Sequence, residues 1–420
     1  MQGYYFPYHE ILPELVVANQ TKIVFLIMDG LGGLGSEPSK PTELEMANKP
    51  NLDKLAQISE CGLVDPVAPG ISPGSGPAHL ALFGYDPVKY DIGRGVLSVF
   101  GAKCFEPAPI MEAGDVAARL NFATLGKDGK IKDRRAGRLT EEKGKELSKL
   151  LDEKIHSIED VKVEVLYEKE YRAAVIFRGS NLSGAVTDTD PTIVDLPPLD
   201  PKPKDGLNPK IKKRAEKTSQ IVKQFVKKAG KILFDHYPAN LVLLRGFDEY
   251  HPLPSFSELY KLSACAIATY PMYRGLARLL GMKVVKCGQT ISEEIDALES
   301  NWKDFDFFFV HIKKTDSSGE DGNASQKTKV IEEVDSQIPR MLNLKPDVLV
   351  VTGDHSTPAA LKSHSWHPLP VLVHSKYARA GSIKKFGETE CIKGTFGRLP
   401  SVCLMPIALA NALRLKRFGA

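Results

Sequence analysis

No two of the six cysteines lie two residues apart, so the chain has neither a zinc-knuckle spacing nor a dithiol redox pair. Scattered at Cys61, Cys104, Cys265, Cys287, Cys391 and Cys403, they read as reduced thiols. No apolar run approaches the roughly 18 residues of a membrane span. The segment Met1-Gln2-Gly3-Tyr4-Tyr5 lacks a basic region leading into an apolar stretch, and a cytoplasmic protein without a membrane partner is expected. An excess of one charge is missing too: 56 basic against 52 acidic residues leave +4, too balanced to imply a nucleic-acid partner. A local positive pocket for an anion is compatible with that balance. Internal repeats and low-complexity tracts are absent. At 420 residues, 42% hydrophobic and 26% charged, the chain is long enough for two domains.

What is present is a set of apolar runs that end in metal-competent side chains. Val348-Leu349-Val350-Val351 passes through Thr352-Gly353 to Asp354-His355; Ile23 to Met28 runs into Asp29-Gly30; Phe307 to Val310 leads through His311 to Asp316 and Glu320. Such runs alternate with helical stretches, for example Pro50 to Ser59 and, after Ala264 to Ala268, Pro271 to Gly281. The alternation predicts an α/β fold, a mostly parallel sheet with helices on both faces and its ligands at the carboxyl ends of the strands. The middle of the chain differs. Val116 to Ala123, Val161 to Val165, Tyr171 to Phe177 and Leu241 to Leu244 read as short strands among Lys/Glu-rich helical segments, an inserted α+β domain. Leu196 to Pro203 is expected as an irregular connection, and the basic stretch Ile211 to Lys231 as a helix with a solvated face. Residues 1–85 and 252–420 are assigned to the first, discontinuous domain and 86–251 to the insert.

Any one of Asp29, Asp354 or His355 alone reads as a loop or capping residue. Together with Asp316, Glu320 and His364 they form two clusters of oxygen and imidazole donors, as a two-metal phosphoryl-transfer site requires. Ser75, in the turn Gly74-Ser75-Gly76, is the candidate nucleophile, with glycines that let backbone approach a phosphate. His79 opens an apolar helical stretch and reads as structural rather than as a ligand.

The chain resembles the 2,3-bisphosphoglycerate-independent phosphoglycerate mutases, in the form found in archaea and some bacteria, within the alkaline phosphatase superfamily. The resemblance runs along nearly the whole chain, through Met28-Asp29-Gly30, Pro73-Gly74-Ser75, Phe83 to Pro87, Gly93-Arg94-Gly95, Asn121 to Thr124, Asp133 to Arg138, Thr187 to Pro191, Leu244-Arg245-Gly246, His311-Ile312-Lys313, Thr315-Asp316, Thr352 to Pro358 and His364-Ser365. It implies an alkaline-phosphatase-like fold and two divalent ions without 2,3-bisphosphoglycerate. One ion would lie among Asp29, Ser75, Asp354 and His355, the other among Asp316, His364 and residue 320, and Ser75 would carry the phosphoryl group.

Similar sequences usually have His where this one has Glu320, and often Asp-Thr in place of Gly76-Pro77. A carboxylate at 320 hardens the site toward Mn²⁺ or Mg²⁺ over Zn²⁺. Asp321 and His367 compete for the same roles as Glu320 and His364. A phosphoglycerate also asks for planar bidentate donors, and Arg134, Arg135, Arg138, Arg172 and Arg245 are the candidates, with Lys313 as a further cation on the substrate. Asp133 is read either as a proton shuttle to the glycerate hydroxyls or as a salt-bridge partner of the arginines. The same metal residues would also serve a phosphatase, a phosphopentomutase, a sulfatase-like hydrolase or a non-catalytic relative. A homo-oligomer is left open.

Overall fold

Ile23–Met28 is a strand of six buried apolar residues, and such a strand needs cover on both faces and partners on both edges. In the computed structural model, which describes residues 8–107 and 110–419, it lies between Phe307–Ile312 and Val348–Thr352, parallel to both. Met1 to Tyr5 fall outside the described residues. Ala264–Ala268 and then Lys283–Val284 extend the sheet on one side, both parallel. On the other side Leu369–Ser375 runs antiparallel and is followed by Glu60–Asp65 and Gly397–Pro400, completing eight strands. The expectation of an α/β fold with a mostly parallel sheet holds. Leu26, Phe308, Val310 and Leu349 on the sheet pack with Leu52, Ile295, Ile331 and Val334 on helices in one core.

The chain divides into two compact units. The first comprises the described residues up to Asp91, Pro254–Tyr270 and the chain from Leu280 onward; the second comprises Ile92–Leu253 with Pro271–Leu279. The second unit is built on an antiparallel sheet in which Val116–Leu125 pairs with both Arg172–Arg178 and Leu241–Glu249. Val161–Lys169 and Ser157–Ile158 continue it. Helix Pro209–Ile232 turns Ala215, Ile221, Val222, Phe225 and Ala229 inward and leaves its lysines outside.

Two sequence-based assignments need correction. Helix Pro271–Leu279, expected in the first domain, packs on Arg94–Ala102 of the second unit. The approach is so close that a Cβ on Gly275 would lie 2.4 Å from the Leu97 carbonyl oxygen, and one on Gly101 2.6 Å from that of Pro271. Arg245 lies inside the strand Leu241–Glu249 rather than after it, opposite Arg119, next to an irregularity in the pairing.

Candidate active site

The site is assembled at the carboxyl ends of three adjacent parallel strands in the first unit. Asp29 directly follows Ile23–Met28, and its main chain is held by Ile312 O, which accepts from Asp29 N at 2.9 Å. Gly30 turns the chain away with φ +65°; a Cβ there would lie 2.6 Å from Thr357 Oγ1 and 2.9 Å from Asp316 Cα. Only glycine admits so close an approach in that conformation. Asp354 follows Val348–Thr352, and one carboxylate oxygen accepts from Gly30 N at 3.0 Å.

After Phe307–Ile312 the chain enters the short helix Lys314–Glu320, which places Asp316 and Glu320 four residues apart on one face. Ser75 begins helix Ser75–Leu82, so the helix starts one turn before the expected position, with Gly74 as its N-cap.

Two groups of potential ligands emerge. Asp29, Asp354 and His355, all fully buried, bring one ligand atom each within 4.8 Å of one another. His355 Nε2 is 3.3 Å from Asp29 Oδ1, 3.1 Å from Asp354 Oδ2 and 3.3 Å from Ser75 Oγ. The second group is Asp316, His364 and, within the same reach, His355 again. His364 Nε2 lies 3.7 Å from Asp316 Oδ1 and 4.0 Å from Glu320 Oε1. The Glu320 side chain is 56% exposed and sits at the outer rim of the group. The His355 and His364 rings stack at 3.6 Å between centroids. Lys313 spans the groups, its ammonium 2.9 Å from Asp29 Oδ2 and 2.5 Å from Asp316 Oδ2.

The electrostatics fit divalent cations. His364 Nδ1 lies 2.9 Å from the Pro73 carbonyl oxygen, which can only accept, so Nδ1 carries a proton and it is Nε2 that faces Asp316 and Glu320. Asp354 Oδ2 is buried and accepts no hydrogen bond. Burial and the neighbouring Asp29 carboxylate push the Asp354 carboxyl well above the usual range. For Asp29, burial raises the pKa, but the Lys313 ammonium with His311 and His355 outweighs it and holds the group well below that range. Burial, against the opposing Asp29 carboxylate, holds the His355 pKa well below the usual imidazole range. Imidazole nitrogens facing crowded carboxyl groups are a donor set that a hard or borderline divalent cation satisfies.

Behind this layer stand two buried histidines not proposed as ligands from the sequence. His79 Nδ1 is 2.8 Å from Ser75 O and 3.3 Å from Asp354 Oδ2, and burial drives its pKa down to about 3. His311 Nε2 is 3.5 Å from Asp29 Oδ2. His311 was legible only as part of a motif.

The arginines lie in the second unit. Arg134 gives Nε and Nη2 to the buried Asp190 at 2.8 and 2.7 Å, so the fork expected to meet a substrate carboxylate is closed on a protein one. Arg245 Nη1 is 3.5 Å from the same Asp190. Arg172 lies over the Tyr171 ring and donates to its hydroxyl at 2.9 Å. Asp133 accepts from Arg135 N and Gly137 N at 2.8 and 2.6 Å and so shapes the turn. Its carboxylate is bound to backbone rather than to an arginine side chain. Arg135 and Arg138 are exposed.

A family profile described as 2,3-bisphosphoglycerate-independent phosphoglycerate mutase matches residues 56–240. A Thermotoga sp. (strain RQ2) protein named probable 2,3-bisphosphoglycerate-independent phosphoglycerate mutase is 49% identical over 418 residues, spanning 99% of this chain and 100% of its own. The chain belongs to the 2,3-bisphosphoglycerate-independent phosphoglycerate mutase family. A mutase of the same name from Aquifex aeolicus (strain VF5) is 48% identical, covering 98% of this chain and 100% of the relative. Among solved structures, a Pyrococcus horikoshii protein superposes with TM-score 0.79 at 29% identity over 96% of this chain and 100% of its own. The cofactor-independent phosphoglycerate mutase of Thermoplasma acidophilum DSM 1728 gives 0.67 at 27%, over 93% and 100%. No helix among the described residues of this family member is long and apolar enough to cross a membrane.

Proposed function

We propose that this chain interconverts 3-phosphoglycerate and 2-phosphoglycerate, in glycolysis and gluconeogenesis, with Ser75 as the transient phosphoryl carrier and no 2,3-bisphosphoglycerate. The observation that carries the reading is the convergence of Ser75 Oγ, His355, Asp29 and Asp354 at one buried point, next to Asp316 and His364. Asp29, Ser75, Asp354 and His355 would hold one divalent ion, Mn²⁺ or Mg²⁺, and Asp316, Glu320 and His364 a second. Bound there, the ions stabilise charge on the phosphoryl oxygens and favour the ionised serine.

Ser75 Oγ attacks phosphorus in line and the C3 oxygen of glycerate leaves. The C2 hydroxyl then attacks the phosphoserine and Ser75 leaves in turn. The proton lost by each attacking hydroxyl is the one each leaving oxygen requires, so the cycle is proton-neutral. Lys313 supplies positive charge beside the equatorial oxygens. In the second unit, Arg135 and Arg138 offer free forks for the glycerate carboxylate, whereas Arg134, Arg172 and Arg245 hold the local frame.

The test is an enolase-coupled assay of the full chain with 3-phosphoglycerate and Mn²⁺, without 2,3-bisphosphoglycerate. Wild type turns over and Ser75→Ala falls to background with its fold intact. Release of inorganic phosphate in place of 2-phosphoglycerate would make the protein a phosphatase, and no turnover with Mn²⁺, Mg²⁺, Co²⁺ or Zn²⁺ would make it a non-catalytic relative.

A further inference from the structure

We infer that Thr357 is a positioning residue that couples the two ligand groups through its side-chain hydroxyl. The inference rests on the two-ion reading above. Thr357 is fully buried, and its Oγ1 lies 2.7 Å from Asp316 Oδ1 and 2.9 Å from His355 Nδ1. In the two-ion reading His355 serves one ion and Asp316 the other. The hydroxyl donates its single proton to Asp316 Oδ1, so its oxygen lone pair is left to receive Nδ1–H of His355. That fixes the His355 tautomer. Nε2 is left with its lone pair on the side of Ser75, Asp29 and Asp354, the form a cation binds. The same bond orients the Asp316 carboxylate, with Oδ1 held by Thr357 on the side of His364 and Oδ2 turned to Lys313.

The hydroxyl is itself held in place. Thr357 N donates to Gly32 O at 3.0 Å, and Thr357 O accepts at 2.9 Å from the buried Lys327 ammonium, which also binds Gly32 O at 2.9 Å. The backbone at 357 is therefore tied to the loop after Asp29, and a change confined to the hydroxyl leaves that tie intact. The lack of a side chain at Gly30 is part of the same arrangement, because a Cβ there would lie 2.6 Å from Thr357 Oγ1. A threonine between two ligands of different groups orders both from one atom, so binding at one group is sensed at the other.

Thr357→Val removes the hydroxyl at nearly constant volume, and Thr357→Ser keeps it. Calorimetric titration of metal-stripped full-length protein with Mn²⁺ is the measurement, with thermal unfolding in parallel. The expected result is that both ions bind wild type, that Thr357→Val weakens both by about 10- to 100-fold, and that Thr357→Ser restores them. Selective ¹⁵N-histidine spectra of the stripped protein should show Nδ1 of His355 protonated in wild type and Thr357→Ser, with that preference lost in Thr357→Val. A lower melting temperature of Thr357→Val with unchanged Mn²⁺ affinities and an unchanged spectrum would overturn the inference, leaving the hydroxyl a loop stabiliser. Wild type that binds fewer than two ions would overturn the two-ion reading, and the coupling with it. If Thr357→Val does not fold, the Thr357→Ser titration and the wild-type spectrum decide: loss of affinity in Thr357→Ser, or Nε2 protonation of His355 in wild type, sinks the proposal.

Discussion

Glu320 is the residue where chemistry and geometry can be separated most directly. Its side chain is half out in solvent, yet its Oε1 faces His364 Nε2 across 4.0 Å. Burial and the Asp316 carboxylate raise its pKa, a cost that a cation between the groups would remove. Replacing it with His exchanges one ligand type for another at the same rim. We predict that Glu320→His retains turnover while the ratio of half-saturating Zn²⁺ to Mn²⁺ falls, since imidazole suits the softer ion. An unchanged ratio would place residue 320 outside the coordination sphere.

Arg134 and Arg135, neighbours in sequence, should behave in opposite ways. Arg134 closes on Asp190, whose side chain is fully buried, while Arg135 is exposed. Arg134→Ala should cost about 1–3 kcal/mol of stability, below the usual figure for breaking a buried pair because Arg245 remains at 3.5 Å. Arg135→Ala should leave the melting temperature unchanged and raise KM for phosphoglycerate. The pH dependence gives the sign. Burial alone would raise the Asp190 pKa, but the Arg134 fork outweighs it and holds the group below the carboxylate range. A group held low in the fold contributes stability above its unfolded pKa, near 3.9, and loses it as pH falls through the folded value. The stability gap between wild type and Arg134→Ala should therefore narrow below about pH 5. Denaturant titrations at pH 7 and pH 4 check it.

Among elements, Pro271–Leu279 packs closely on Arg94–Ala102, where Gly275 leaves no room for a methyl against Leu97 O and Gly101 N. Gly275→Ala should destabilise the second unit by about 1–3 kcal/mol through overpacking, read as lost amide protection in Val116–Leu125. Ordinary protection there would show that the helices can part without cost.

This contact also marks where the sequence stops being readable. The strands were legible because an apolar run ending in Asp or His has few other meanings, and Asp29, Asp316, Asp354 and His355 were read at or after their ends; Ser75 was read from its glycine-flanked turn and His364 from its place beside those clusters. The packing that sets the unit of Pro271–Leu279 needs Gly275 in the helix and the distant Gly101 on its partner, and neither carries a periodic signal. Thr357 and Lys327 were opaque for a similar reason, since a hydroxyl and an ammonium acquire roles only from distant partners such as Asp316 and Gly32. Arg134 looked like a substrate ligand because nothing local announces Asp190 as its partner.

At the scale of the molecule, all the proposed metal ligands belong to the first unit. Cations that bind the folded but not the unfolded form stabilise that unit by mass action, by about 2.7 kcal/mol at a hundredfold excess over Kd. Chelation should therefore lower hydrogen-exchange protection in Ile23–Met28 and Phe307–Ile312 more than in Val116–Leu125, which has its own core. An equal loss in both would mean that the units open together.

The register of the central strand has a consequence for synthesis. Among the described residues Ile23–Met28 pairs only with residues 307–312 and 348–352, so on the ribosome its six apolar residues leave the exit tunnel long before either neighbour exists. The second unit, nearly contiguous from Ile92 to Leu253, can close meanwhile, but the first strand must wait with unsatisfied edges. Nascent chains stalled before residue 307 should thus engage chaperones through residues 23–28, and the last third of translation, rather than the first, sets when the nucleophile and its ligands meet.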